Sequence, residues 1–320
     1  MLRDVIGHDR IVQILRRQIA EGRVGNAYLF VGPPDVGKGF VALNFAKALN
    51  CLQGGDDSCD ICISCRKIDD GLHPDVQVIS PSGSWLKIDQ IRAMRRRAAL
   101  KPLEGRFKVF IIREADRMTD EAANSLLKTL EEPPTDTVII LITTNLSAIL
   151  PTITSRCQLF RFGAVPKEEI EGFLRERFNL SDQAASRIAL LSDGRVSRAI
   201  EMARNPSLAE EAPPRLLTGM EPIEIFREAE EMAGNPEKLE VLLTWLRDLM
   251  LVKAGVQEGI VHVGSLDLLR SLASRLPRGR LLEAVKLVMR TRQLITQHNV
   301  NPNLALEVMC LKLLELQGRI

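Results

Sequence analysis

The chain has 320 residues, 45% hydrophobic and 26% charged. At roughly 100–200 residues per domain this is material for two or three domains with real cores. Its 43 Lys+Arg against 41 Asp+Glu leave a net charge of +2, which excludes a polybasic or histone-like protein. Ten Phe, two Trp and one Tyr are too few for an array that stacks bases along a single strand. The N-terminal segment has no apolar core of signal-peptide length, and no stretch approaches ~18 uninterrupted apolar residues, so neither secretion nor a membrane span is expected. The expected location is cytoplasmic.

The first half alternates short β-rich runs with helical patterns. Apolar runs at 27–31, 75–79, 108–112 and 138–142 are nearly continuous in Val, Ile, Leu and Phe. Such runs separated by helices predict a parallel sheet buried on both faces. A helix is expected over 40–49. Another should open at Thr119, which can cap it with Asp120 and Glu121 in the first turn. Ala123, Leu126, Leu127 and Leu130 give that helix an apolar face of period 3.6, and Pro133-Pro134 ends it. After Pro166 the strand pattern stops. Residues 167–204 read as a few short helices, and 205–222, with four of the sixteen prolines, read as a linker. From there the chain is helical, with long amphipathic segments at 239–252, 280–297 and 304–316. The expected organisation is an α/β P-loop-type domain over 1–165, a small helical lid domain over 166–208 and an all-helical domain over 209–320.

Gly32-Pro33-Pro34-Asp35-Val36-Gly37-Lys38-Gly39 lies between the first strand and a helix. It matches G-x-x-x-x-G-K in the right context for backbone N–H groups to cradle phosphate, with Lys38 neutralising its oxygens. The hydroxyl that should follow the lysine and hold Mg²⁺ is missing, because Gly39 stands there. Strand 108–112 should run into Asp-Glu; it runs into Arg113-Glu114. Phosphoryl transfer relies on the metal to stabilise developing charge. Two losses at one magnesium site therefore argue against intrinsic ATPase activity, and no Mg²⁺ site is expected. Whether the loop binds ATP without turnover or is only an anion-friendly turn stays open.

Cys51, Cys59, Cys62 and Cys65 have the spacing C-x₇-C-x₂-C-x₂-C. Four thiolates close a tetrahedral Zn²⁺ site with no open position, so the expected cofactor is a structural zinc in a module at 51–65. An iron–sulfur cluster has similar ligands, and free thiols are the bland alternative. The four histidines, His8, His73, His262 and His298, are not needed as ligands. Cys157 and Cys310 read as small buried residues. Arg92, Arg95 and Arg96 share one helix face at i, i+3, i+4, which is either a solvated face or a set of salt-sensitive, sequence-independent phosphate contacts.

Several segments occur in one order along the chain: Val5-Ile6-Gly7-His8, Asn26-Ala27-Tyr28-Leu29-Phe30, the cysteine cluster, the run from Leu126 to Pro134, Ser155-Arg156-Cys157, and Asn299 to Glu307. In this combination the chain resembles the bacterial clamp-loader AAA+ family of DNA polymerase III, over essentially its whole length and in its delta-prime branch. The resemblance implies a place in a heteropentamer that loads a ring-shaped sliding clamp on primer–template DNA during DNA replication. The implied partners are gamma/tau motor subunits, a delta subunit and the clamp, within a complex that has DNA polymerase activity. The 209–320 region would form the collar through which the subunits assemble, and the four cysteines would be the family's zinc module. Arg156 would be an arginine finger acting in trans on a neighbouring motor subunit's ATP, where a guanidinium stabilises charge on the γ-phosphoryl.

Gly39 and Arg113 depart from the motor pattern. So does the second sensor, where Ser197 stands three residues after Gly194 and Arg198 comes one later. The Thr143-Thr144-Asn145 position, a γ-phosphate sensor in the family, reads as structural here. All of this fits a non-hydrolysing subunit. The alternatives are an ATP-hydrolysing gamma/tau-type motor, disfavoured by Gly39 and Arg113, and a zinc-dependent DNA-binding regulator, disfavoured by the near-neutral charge.

Overall fold

The computed structural model describes residues 1–205, 213–235, 237–256, 259–297 and 300–317. The chain forms two compact units, Met1–Arg204 and Asn205–Ile320. The first is built on a parallel sheet of five strands, β1 (Ala27–Val31), β2 (Val76–Ile79), β3 (Lys108–Ile112), β4 (Thr137–Thr143) and β5 (Gln158–Arg161), in the order β2-β3-β4-β1-β5. The four predicted runs are strands β1 to β4. The alternation of side chains along each strand separates two cores. Tyr28, Phe30, Val109, Ile111, Val138 and Ile140 pack with α1 (Asp9–Ala20) and α2 (Lys38–Asn50) on one face. Leu29, Phe110, Ile112, Ile139 and Leu141 face the other core, with residues of the later helices α4 (Ile88–Ala98) and α5 (Asp120–Glu131). Sequence reading missed β5. Only Phe160 of its four residues is buried, so it lacks the apolar run that marks a strand covered on both faces.

Between α2 and β2 lies α3 (Ile63–Asp69), which carries part of the cysteine module. Thr119 caps α5 as expected, its side chain accepting the Ala122 N–H. A short α6 (Pro151–Thr154) leads into β5. Three helices, α7 (Lys167–Phe178), α8 (Asp182–Ser192) and α9 (Val196–Arg204), complete this unit.

The second unit is helical: α10 (Arg215–Thr218), α11 (Ile225–Gly234), α12 (Glu237–Lys253), α13 (Leu266–Arg275), α14 (Arg278–Gln297) and α15 (Pro302–Leu316). Its core gathers Trp245, Leu242, Leu249, Leu281, Met309 and Leu313. Asn301 accepts the Leu304 N–H and Pro302 occupies the first turn, which together start α15. Asn299 and His298 of the sequence reading lie outside the described residues. The expected linker over 205–222 needs correction. Residues 206–212 are outside the described set, but α10 puts Leu216 and Leu217 fully into the core of the second unit; proline density marked the ends of this segment and hid its buried pair. Inside the core, Asp248 accepts N–H bonds from Val261 and His262 and pairs with His262 Nδ1 at 2.8 Å, while the His262 ring stacks on Trp245 at 4.0 Å. No described helix is long and apolar enough to cross a membrane.

Candidate functional site

The Gly-Lys loop sits where β1 delivers the chain to α2. Gly32 has no room for a side chain, since a Cβ there would fall on the Phe162 carbonyl oxygen and within 2.9 Å of Phe162 Cβ. That segment is fixed because the Phe162 N–H donates to Val31 O at 2.7 Å. Gly37 precedes α2 at φ +101°, a conformation that favours glycine. Gly39 differs from both. It lies in the first turn of α2 with nothing within 4 Å of its Cβ position, so packing does not dictate the loss of the hydroxyl.

Lys38 is buried, and its ammonium donates to Gly32 O at 2.7 Å and to Pro33 O. Burial drives its pKa down to about 8, against the upward pull of Asp35 and Asp116. The loop is braced from two other segments. His8 Nε2 lies 3.0 Å from Val36 O and its ring meets Phe162 edge-on at 4.8 Å. The Ser197 N–H, from α9, donates to Asp35 O at 3.0 Å. Ser197, at the second-sensor position, thus meets the loop through its backbone.

The structure places Arg113 on the surface just beyond β3. Glu114 follows in the left-handed region at φ +50° and pairs with Arg117 at 3.0 Å. That turn brings Asp116, which sequence reading passed over, back toward the loop. Thr143 Oγ1, at the end of β4, donates to Asp116 Oδ1 at 2.5 Å and accepts the Asn145 N–H at 3.0 Å. Thr143 therefore holds an acid that acts electrostatically on Lys38. The only sequence signal for Asp116 was its place shortly after a buried strand.

The four cysteines converge. Cys51 ends α2, Cys62 caps α3, and all four Sγ atoms lie within 4.8 Å of one another, with Cys59 and Cys65 at 4.0 Å. A tetrahedron of sulfurs at the usual Zn–S length has edges of about 3.8 Å, so the set has the size of a metal site. The Cys62 N–H donates to Cys59 Sγ at 3.3 Å, and the Cys65 N–H to Cys62 Sγ at 3.5 Å. Burial pushes Cys51 and Cys65 up; at Cys62 burial is outweighed by the N–H groups of Cys65 and Leu52, which bring it down to about 6. The loop between the cysteines also ties down neighbouring chain. Buried Asp57 accepts the N–H groups of Leu2 at 2.7 Å and Arg3 at 3.1 Å, and Asp60 pairs with buried Lys47 at 2.8 Å. His73 stays apart, its Nδ1 accepting the Asp75 N–H. Cys310 is buried as expected, but Cys157 is only half-buried, because it sits on the turn into the exposed strand β5.

Arg156 stands on that same turn, 37% exposed, with Nη2 at 2.9 Å from Glu131 Oε1 and Nη1 donating to Thr152 O at 2.9 Å. Both partners lie on the surface of the first unit, and they hold the guanidinium at its edge. The three arginines expected on one face of α4, Arg92, Arg95 and Arg96, divide. Arg95 reaches Ser125 of α5 at 3.3 Å, whereas Arg92 and Arg96 project into solvent, Arg92 only 3.9 Å from Asp89.

Residues 7–166 match the family model described as DNA polymerase III, delta subunit, and residues 221–315 match that described as DNA polymerase III, delta subunit, C terminal. The chain belongs to the DNA polymerase III delta subunit family. It is 40% identical over 201 residues to DNA polymerase III subunit delta' of Bacillus subtilis, covering 63% of this chain and 60% of that one. It is 30% identical over 345 residues to subunit tau of the same organism, covering 97% of this chain and 61% of that one. The chain thus spans about 60% of the length of these two relatives. A gamma subunit-related protein of Thermotoga maritima superposes with a TM-score of 0.52 at 22% identity, over 95% of this chain and 99% of that one. That likeness is one of fold, a parallel sheet among helices followed by a helical region.

Proposed function

We propose that the chain is a delta-prime-type clamp-loader subunit that hydrolyses no ATP itself and completes a neighbour's ATP site. The observation that carries this is a contrast within one domain. The chain's own magnesium ligands are gone at Gly39 and Arg113, while Arg156 is kept at the surface by Glu131 and Thr152. An arginine held at an edge is suited to act on something outside the chain. Supplied in trans, such a guanidinium is typically worth roughly 10³–10⁵ in rate.

In this reading the partners are gamma/tau and delta subunits, the sliding clamp and primer–template DNA, and the work is done in the cytoplasm. The lid over 166–208 completes the AAA+ module, and the collar over 209–320 carries assembly. The four thiolates hold a structural zinc that locks α2, α3 and the 57–60 loop together. Arg92 and Arg96 meet DNA phosphates without reading sequence. Copurification with candidate motor and delta subunits tests the assignment, together with a magnesium-dependent ATPase assay on the isolated chain. The expected result is a stable complex and no turnover. Turnover well above background that Lys38→Ala abolishes would instead identify a motor subunit.

A further inference from the structure

Lys38, Lys47 and Lys108 are buried in the first unit. Lys38 and Lys108 direct their ammonium groups at backbone carbonyls, Lys38 at Gly32 and Pro33, Lys108 at Arg97. Lys47 differs. Its side chain is 4% exposed, and its Nζ meets Asp60 Oδ1 at 2.8 Å and both carboxylate oxygens of Asp69 at 2.9 and 2.8 Å. These three residues stand in register with the four cysteines. Lys47 lies one helical turn before Cys51, which caps the end of α2. Asp60 lies between Cys59 and Cys62. Asp69 lies one turn after Cys65, at the end of α3. Residues four apart on a helix share a face, so one ammonium joins the three segments that carry the thiols. Asp60 also holds a left-handed conformation at φ +57°, which is uncommon for a residue with a side chain. The ammonium and Ser58 Oγ, which donates to Asp60 Oδ1 at 2.7 Å, both fix its carboxylate there.

We infer that Lys47 is the positioning residue of the thiolate site: it draws the three cysteine-bearing segments together, so that the four sulfurs converge before a metal arrives. A role in stability alone explains the contacts less well. Burying an ammonium carries a desolvation cost that a salt bridge does not reliably offset, whereas fixing one geometry is a use such pairs serve. Asp60 and Asp69 are 31% and 44% exposed, so water can solvate both carboxylates when the ammonium is removed. The fold should therefore survive its loss while the geometry of the thiols does not. Groups that orient the ligands of a metal from outside the ligand set are typically worth roughly 10–100-fold in metal affinity. The inference rests on the reading of the four thiols as a structural metal site and names the residue that assembles it.

The test uses the full chain, stripped of metal and titrated with Zn²⁺ against a competing chelator and with Co²⁺, whose thiolate charge-transfer absorption reports the ligand set. Lys47→Met, which keeps the apolar stem, should weaken Zn²⁺ binding roughly 10–100-fold. It should leave the Co²⁺ spectrum at saturation unchanged, because the four ligands remain. Asp69→Asn should weaken binding less, since Asp60 keeps the ammonium, and added to Lys47→Met it should weaken binding no further. Hydrogen exchange of the metal-free chain supplies a readout that needs no metal. The Cys62 and Cys65 N–H groups, which end on the sulfurs of Cys59 and Cys62, should exchange faster in Lys47→Met than in the wild type, while β1 and β4 peptides stay unchanged. Unaltered Zn²⁺ affinity in Lys47→Met, additive losses in the double variant, equal exchange at Cys62 and Cys65, or faster exchange throughout the first unit would each overturn the proposal. A wild-type chain that binds neither metal overturns the metal reading instead, and the exchange comparison then still decides whether Lys47 holds the segments together.

Discussion

The Gly-Lys loop makes a prediction in which two glycines a few residues apart respond in opposite directions. Gly32→Ala places a methyl group on the Phe162 carbonyl oxygen and against Phe162 Cβ. Phe162 cannot retreat freely, because its N–H is bonded to Val31 O and its ring packs against Phe30 at 5.1 Å and His8 at 4.8 Å. Overpacking of this kind costs typically 1–3 kcal/mol, and a backbone obstacle puts the expected loss near the upper end, about 3 kcal/mol. Gly39→Ala meets nothing within 4 Å and lies in a helical first turn. It should stabilise by about 0.5 kcal/mol, chiefly by reducing the freedom of the unfolded chain. The assay is urea unfolding followed by hydrogen exchange of β1 and β5 peptides, which reports the first unit alone. Equal effects at the two positions, or a loss below about 0.5 kcal/mol for Gly32→Ala, would refute the packing argument. The first glycine would then be explained by phosphate access alone, and Gly39 by a constraint the structure does not contain.

Three further outcomes follow from the same residues. Protein purified without chelator should carry about one zinc per chain bound by thiolates, and Cys62→Ser should abolish it; apparent binding free energies for structural zinc in finger peptides run to roughly 10–16 kcal/mol, and an iron–sulfur absorption band would contradict the assignment. Stripping the metal should also increase hydrogen exchange at Leu2 and Arg3, whose N–H groups end on Asp57 between the cysteines. Buried Asp75 accepts the N–H groups of Leu103, Glu104 and Gly105 at 2.8 Å each; burial pushes its pKa up, but those N–H groups hold it below its ordinary value of 3.8. Its contribution is therefore present above about pH 4 and lost as pH falls through the lowered value. Asp75→Ala should cost about 2 kcal/mol at neutral pH and flatten that acid limb of a stability–pH profile.

The sheet was legible where burial is two-sided. Val109, Ile111, Val138 and Ile140 announce β3 and β4 because each face of those strands meets a core. β5 has no such signature, as Gln158, Leu159 and Arg161 face outward. The cysteine quartet was legible from spacing, since two C-x₂-C steps suffice to bring thiols together. Asp116 was not, because its arrival near Lys38 depends on the turn at Glu114 and on Thr143, both set by tertiary structure. The Ser155-Arg156-Cys157 motif says nothing of how Arg156 is held, because the Glu131 contact that positions it joins two segments with no local pattern between them. Leu216 and Leu217 show the reverse error, in which proline-rich composition concealed a buried helical turn.

The central claim is that Arg156 belongs to another subunit's active site, and the most direct measurement is the ATPase rate of the reconstituted loader with Arg156→Ala, stimulated by clamp and primed DNA. The side chain is 37% exposed and its pair with Glu131 is a surface contact, so the substitution should cost this chain under about 1 kcal/mol of stability and leave assembly intact. The account predicts a partial loss of ATPase and of clamp loading, since only the site facing this subunit loses its arginine, with incomplete rescue by Arg156→Lys, which lacks the planar fork. A complex that assembles normally and turns over ATP at the wild-type rate would contradict it.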